Sequence, residues 1–333
     1  MIKSSAPTRI DLAGGTLDIW PLHLFFGNAP TLNAAIDLYA TVEISSRKDK
    51  RIVLRSRDLN LEDSFSSLSA LPEDHPLELI TRTLKFYAPK SGLEISTNCQ
   101  APQGSGIGGS SALNIALHGA LNKFTSKKYS KQEMIEIARN IETQVIRVPA
   151  GSQDYFPAMY GGVRSVNPGF LGIGTETLPV KPKELTRHIV LCYTGKPRNS
   201  GINNWEVTKK TLDGNKKVIQ HLGTIRDCAL EMHQLLKKGR ISGIAPIFSR
   251  EWKARKQLAP AITTPQMEKL IRSALKKGAL AAKVCGAGGG GCVAFIVPPE
   301  KKQHIIDELN FQGGKVLPFR FVSRGQMVSS YRQ

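Results

Sequence analysis

The chain has 333 residues, 41% hydrophobic and 22% charged, a composition that excludes wholesale disorder and, at roughly 100–200 residues per domain, predicts two domains. Lys and Arg number 46 against 27 Asp and Glu, a formal net charge of +19, which favours anionic partners: nucleic acid, anionic lipid or a phosphorylated small molecule. The five cysteines, Cys99, Cys192, Cys228, Cys285 and Cys292, are odd in number and never at CxxC spacing, so neither a disulfide framework nor a zinc site is expected. No window approaches the roughly 18–20 apolar residues of a membrane-spanning helix, and residues 1–15 carry no signal-peptide pattern, which predicts a cytoplasmic protein.

In chain order, the first ninety or so residues read mostly as short strands. Residues 41–44 and 51–55 alternate and are rich in β-branched side chains, with the basic cluster Arg47, Lys48 and Lys50 read as a hairpin turn between them. Leu77, Ile80, Leu84 and Tyr87 stand at helical spacing, and residues 93–96 form a short strand. A glycine-rich loop at residues 104–109 follows, then an apolar helix through Leu121 and a second helix over residues 131–141. Residues 196–277 read as predominantly helical, with apolar positions such as Ile219, Leu222, Ile225 and Leu230 among basic ones. Between residues 196 and 256 the net charge is +9, yet there is no run of consecutive basic residues of the kind found in a disordered arm. Residues 279–297 return to glycine-punctuated strand, and residues 301–309 form a closing helix. With no repeat of fixed period, this order predicts an α+β chain, strand-rich in its first half and helix-rich in its second.

The segment Pro102-Gln103-Gly104-Ser105-Gly106-Ile107-Gly108-Gly109-Ser110-Ser111-Ala112 has the makings of a phosphate cradle. Glycines let the backbone turn tightly and approach a ligand, and the first amides of the following helix are unpaired and add the positive end of its dipole. A hydroxyl at Ser110 or Ser111 is placed to ligate Mg²⁺ on the phosphates. This is not a Walker A loop, since no Gly-Lys-Ser/Thr follows it and no Lys occurs between the loop and Lys123. A dinucleotide fold lacks its ribose carboxylate, since no acidic residue lies between Glu94 and Glu133.

Two further segments make the loop specific: Ala6-Pro7-Thr8-Arg9-Ile10-Asp11-Leu12-Ala13-Gly14-Gly15-Thr16-Leu17-Asp18, and Lys283-Val284-Cys285-Gly286-Ala287-Gly288-Gly289-Gly290-Gly291-Cys292. In this order and at these separations the three resemble the GHMP kinase superfamily. Within it, Gly151-Ser152-Gln153-Asp154-Tyr155-Phe156, Met159-Tyr160-Gly161-Gly162, Tyr193-Thr194-Gly195-Lys196-Pro197-Arg198-Asn199-Ser200 and Trp252-Lys253-Ala254-Arg255-Lys256 resemble the sugar-1-kinase branch of heptose 7-phosphate kinases, fucokinases and glucuronokinases. The resemblance spans roughly residues 4–300.

The resemblance implies a two-domain GHMP kinase-like fold, with an ATP-binding domain over residues 1–175 and a C-terminal domain over residues 176–333. It implies an ATP- and Mg²⁺-dependent kinase acting on the anomeric hydroxyl of a sugar or sugar phosphate, D-glycero-D-manno-heptose 7-phosphate foremost, with another sugar (fucose, glucuronate, galactose or mannose) or a mevalonate-type substrate as the alternative, and no nucleic-acid or membrane partner. On that reading Asp154 is the catalytic carboxylate and Arg9 its neighbour. Pro102, Gly104, Ser105, Gly106, Ile107, Gly108, Gly109, Ser110 and Ser111 hold ATP, and Ser110 and Glu142 hold Mg²⁺. Asp18, Gly15, Gly151, Gln153, Gly288 and Gly289 belong to the substrate side, and Lys196 and Arg198 are candidates to clamp a substrate phosphate. The sequence departs from the family pattern at Gly109, where a serine is commoner, so the metal-facing hydroxyl is either Ser110 or Ser111. Leu17 is a second departure, and the tail after Pro318 has no assignment. Asp11 is read as a structural partner as readily as a functional one, His118 as packed behind the loop, and Cys285 and Cys292 as small buried residues.

A silent sugar- and nucleotide-binding regulator is the non-enzymatic alternative, opposed by the joint presence of Arg9, Asp18, Ser110, Glu142 and Asp154. An RNA-binding protein is opposed by an aromatic content of 7%.

Overall fold

The computed structural model describes residues 1–197 and 200–331. Its first sheet is built from β1 (Ile2–Ala13), β2 (Thr31–Ser46), β3 (Ile52–Ser56), β4 (Leu61–Phe65), β5 (Leu93–Cys99), β6 (Val163–Gly169) and β7 (Gly172–Thr177). Two of these strands are long, 12 and 16 residues, not short as expected. β2 lies along β1 on one side; its other side pairs antiparallel with β6 near Thr31–Ala34 and with β5 from Ala40 to Ser46.

Residues 47–50 do not close a hairpin. β5 is inserted between β2 and β3, antiparallel to the first and parallel to the second. The connection crosses the start of β5, where Arg47 N–H donates to the Gly92 carbonyl (2.9 Å) and Gly92 N–H to Asp49 (3.2 Å). A Cβ on Gly92 would collide with the Asp49 carbonyl, so the crossing needs glycine there. Alternation identifies a half-buried strand but carries no information about which strand lies beside it.

Helices Glu78–Tyr87, Gly109–Thr125 and Lys131–Ile146 cover one face of this sheet. Ile80, Leu84 and Tyr87 of the first meet Ile115 of the second over Ile44, Leu54 and Ile95. The third helix starts where expected because Ser130 and Glu133 form a reciprocal capping box.

The second half does hold five helices between residues 200 and 311, but around a sheet of its own. β8 (Ile189–Tyr193), β9 (Ala281–Val284), β10 (Cys292–Ile296) and β11 (Lys315–Leu317) pair antiparallel in the order β11-β8-β10-β9. Helix Lys216–Lys237 buries Leu222, Ile225, Ala229, Met232 and Leu236, a stripe at spacings of three and four, and leaves Ile219 and Leu230 exposed. A shared core of Ile10, Leu12 and Leu32 against Leu191, Phe248 and Ala294 joins the two halves.

The tail unassigned from sequence crosses back. β12 (Met327–Ser330) pairs antiparallel with β1, and Phe321 bridges to Ile36 of β2. A cut at residue 175 therefore falls inside β7, and the chain's last strand belongs to the first sheet. No helix among the described residues is long and apolar enough to cross a membrane.

Candidate active site

Five loops converge on a cavity of about 300 Å³: the turn after β1, the β3–β4 turn, the glycine loop after β5, the segment before helix Tyr155–Tyr160, and the β9–β10 loop. Of the glycine loop, Gly104, Gly106 and Gly108 take positive φ, which side chains resist. The Gly106 carbonyl accepts from Arg9 Nη1 (2.7 Å) and that of the buried Ile107 from Arg9 N–H (2.9 Å), so both point toward β1. Pro102, Gly104, Ser105, Gly106, Gly108, Gly109, Ser110 and Ser111 line the cavity. Helix Gly109–Thr125 begins there with no side-chain cap and no acid in its first turn, the arrangement that suits an anion.

The β9–β10 loop buttresses this cradle. Cys292 N–H donates to the Ser105 carbonyl at 2.7 Å. Gly291, with φ +84°, packs so closely that a Cβ would lie 2.6 Å from the same oxygen. Gly286 and Ala287 line the cavity. The expected Gly288 and Gly289 stand behind it, packed on Ile262, whose carbonyl accepts from Gly289 N–H. Cys285 and Cys292 are buried, as expected.

Asp154 Oδ1 accepts from Arg9 Nε at 2.8 Å and also from Nη2. Arg9 is 2% exposed, and the Asp154 side chain retains 23%, lying against Gly108 at the cavity wall. Glu142 is buried and accepts from three hydroxyls: Ser110 Oγ (2.7 Å), Ser111 Oγ (3.1 Å) and Tyr155. Burial pushes the Glu142 carboxyl above its ordinary range, and the hydroxyl donors pull it part of the way back. Ser110 is exposed to the cavity whereas Ser111 is buried, which separates the two serines that the sequence leaves equivalent.

Asp18 lies deeper. Its Oδ2 accepts the backbone N–H groups of Ser152 and Gln153 (2.9 Å for the latter), while Oδ1 is buried without a hydrogen-bond partner among the described residues. Burial, reinforced by the Asp154 charge, raises its carboxyl to about 6. Gly151 is required beside it, since a Cβ would approach Asp18 Oδ2 to 2.6 Å. Gln153 lines the cavity with its Oε1 also lacking a partner, and Gly15 packs between Gln153 and Asp11.

The remaining expectations divide. Lys196 is exposed and outside the cavity lining; its carbonyl serves the fold by accepting from Gly291 N–H. Arg198 lies outside the described residues. His118 is packed as expected, fully buried beside the Tyr87 hydroxyl at 3.0 Å, with burial pushing it down to about 3. Sequence reasoning gave no role to Tyr155, although it stands in the quoted segment next to Asp154. It also missed Asp58 and Leu59, which the β3–β4 turn brings to the cavity, and a buried group comprising Asp11, Glu251, Arg255 and Lys283. The one available signal for the last was a lysine inside the apolar run at residues 279–285.

Among the described residues, the lining carries four carboxylates, Asp18, Asp58, Glu142 and Asp154, against one cation, Arg9. A polyphosphate entering here needs the backbone amides and a bridging cation rather than a lysine clamp.

Residues 77–162 match the family model for the GHMP kinases N terminal domain, and residues 232–315 that for the GHMP kinases C terminal domain. The chain belongs to the GHMP kinase superfamily. It is an ATP-dependent phosphotransferase with an alcohol group as acceptor, which removes the silent-regulator reading. This GHMP kinase is 28% identical over 344 residues to the D-glycero-alpha-D-manno-heptose 7-phosphate kinase of Campylobacter jejuni, covering 99% of each chain. It is 26% identical to the L-fucokinase/L-fucose-1-P guanylyltransferase of Bacteroides fragilis, over 89% of this chain and 34% of that protein. Its fold superimposes on the crystal structure of a D-glycero-D-manno-heptose 1-phosphate kinase from Bacteroides thetaiotaomicron with a TM-score of 0.81, at 26% identity and full coverage of both chains.

Proposed function

We propose that this GHMP kinase phosphorylates the anomeric hydroxyl of a sugar phosphate or sugar, with D-glycero-D-manno-heptose 7-phosphate the first substrate to try. The observation that carries this is the placing of Asp154. It is held by Arg9, touches the glycine loop at Gly108, and shares its cavity with Asp18, whose Oδ1 has no protein partner. A sugar presents adjacent hydroxyls, and a carboxylate oxygen with no other donor is suited to take one of them. The heptose kinase similarity over nearly the whole chain supports the substrate class.

On this reading the loop from Pro102 to Ser111 cradles the ATP phosphates through backbone N–H groups. The acceptor oxygen attacks the γ-phosphorus, the bond to the β-phosphate oxygen breaks, and ADP leaves. The proton of the acceptor hydroxyl passes to Asp154 Oδ2, while Arg9 holds Oδ1 and keeps the carboxylate aligned. An anomeric hydroxyl is more acidic than an ordinary alcohol, so a carboxylate is a workable base. Ser110 Oγ and Glu142 Oε1, 2.7 Å apart at the cavity, form a hard-oxygen set that fits Mg²⁺. Bound there, the ion would neutralise charge on the phosphates. Tyr155 and Ser111 hold the other oxygen of Glu142. An ATP-consuming reaction of this kind belongs in the cytoplasm, with its donor.

The test is ADP release with heptose 7-phosphate, mannose, fucose, galactose, glucuronate and mevalonate as acceptors. Turnover is expected with heptose 7-phosphate or another sugar; turnover with mevalonate alone overturns the sugar assignment. Asp154→Asn is expected to lower kcat by a factor on the order of 10²–10⁴, and unchanged turnover would remove Asp154 from the chemistry.

A further inference from the structure

Beneath the Asp18 side of the cavity lies a group of charges that the proposed reaction does not use. Asp11 of β1, Glu251 and Arg255 of helix Ile244–Arg255, and Lys283 of β9 are each at most 1% exposed. Lys283 Nζ lies 2.8 Å from Asp11 Oδ1 and 3.3 Å from Glu251 Oε1, and Glu251 Oε1 also accepts from Arg255 Nε at 3.0 Å. Two anions and two cations pair off, so the group needs no ligand to balance its charge.

Arg255 has donors left over, and they leave the group in one direction. Nη2 donates to the Gly15 carbonyl (2.7 Å) and Nη1 to Thr16 Oγ1 (3.1 Å). Thr16 has φ +79°, a conformation that a β-branched residue adopts only when its surroundings impose it. The turn is otherwise closed locally, by Leu17 N–H to Gly14 and Ile19 N–H to Thr16. Two residues after Thr16 comes Asp18, with Oδ1 unpartnered in the cavity wall. A planar guanidinium meets two acceptors in a fixed geometry, which an ammonium or an apolar side chain does not.

We infer that Arg255 is a positioning residue for sugar binding: reaching from the distant C-terminal half, it fixes the turn at residues 14–18 and so the direction in which Asp18 Oδ1 meets the acceptor, which rests on Asp18 receiving the sugar.

The test compares wild type with Arg255→Lys, which keeps the charge beside Glu251 but cannot span both acceptors. Hydrogen exchange is followed over residues 14–19 and 150–154, and KM is measured for heptose 7-phosphate and for ATP. Exchange is expected to quicken in those two segments and not in helix Gly109–Thr125. The sugar KM is expected to rise about tenfold, the loss of a charge-assisted hydrogen bond, while ATP KM and kcat stay within about twofold. Thr16→Val is expected to raise the sugar KM in the same way, Thr16→Ser to retain wild-type behaviour, and the Arg255→Lys/Thr16→Val double variant to be little worse than either single one. If Arg255→Lys does not fold, the valine–serine pair at Thr16 carries the comparison.

Unchanged exchange over residues 14–19, or sugar and ATP KM rising together, overturns the inference. If wild type phosphorylates none of the sugars, the substrate reading fails by itself, and the exchange data still decide whether Arg255 holds the turn.

Discussion

Asp18 has one carboxylate oxygen bonded to two backbone amides and the other bonded to nothing, and the balance of these sets its titration. Desolvation outweighs the amide donors, so the carboxyl titrates at about 6 rather than its ordinary 3.8. A carboxyl raised on folding leaves the folded state holding more protons than the unfolded one between those values. Its contribution is complete below pH 3.8 and is lost as pH rises through 6, a cost of about 3 kcal/mol at pH 8. Asp18→Asn keeps an oxygen for the two amides and does not ionise. Denaturant midpoints at pH 4, 6 and 8 are expected to show the variant gaining on wild type as pH rises, while losing sugar turnover; a difference independent of pH would refute this account. The neighbouring Glu142 shifts in the same direction but is common to both proteins and cancels. Much at this scale was legible: Arg9, Asp18, Glu142, Ser110 and Asp154 were all named from motifs and are brought to one cavity. Tyr155 was not, because a tyrosine beside a catalytic motif reads as core until its hydroxyl is seen on Glu142.

At the scale of elements, the cavity depends on loops supporting loops. The β9–β10 connection reaches the glycine loop through Cys292 N–H and the bare Cα of Gly291, both against the Ser105 carbonyl. Gly291→Ala would place a side chain at φ +84° and against that oxygen. It is expected to cost roughly 1–3 kcal/mol of stability and to raise the KM for ATP more than that for the sugar, measured by thermal melting and steady-state kinetics. A variant that melts lower with both KM values unchanged would show the contact to be structural only. Helix starts and the glycine loop were readable because capping, propensity and φ preference are local. The β2–β3 connection is not the hairpin that the basic cluster at residues 47–50 suggests, and Gly288 and Gly289 pack on Ile262 outside the described cavity lining. Partner strand and the side on which a loop packs are decided by residues far along the chain.

For the whole molecule, the two halves meet across the buried charges. Lys283 binds Asp11 of the first sheet to Glu251 of the second half, and removing one member strands the others in a dry interior. Lys283→Met is expected to lose about 3–5 kcal/mol, read as a large drop in the unfolding midpoint. A loss under 1 kcal/mol would mean that water reaches the group. Composition was only a partial guide here. The net charge of +19 points to an anionic partner, yet among the described residues the cavity is lined by four carboxylates and one arginine.

What the sequence by itself determined is a glycine-rich loop running into a helix, and the order of motifs that marks the family and, through it, Arg9, Asp18, Ser110, Glu142 and Asp154 as candidates. The loop depends on residue type and short spacing, which are local properties, whereas the candidates rest on resemblance. Only the tertiary structure decided that Ser110 is exposed and Ser111 buried, that Glu142 is held by Tyr155, that the C-terminal strand returns to β1, and that Arg255 reaches the Asp18 turn from 240 positions beyond Gly15. Each of those is a contact between segments far apart in the chain, set by how the two sheets pack and not by the residues on either side.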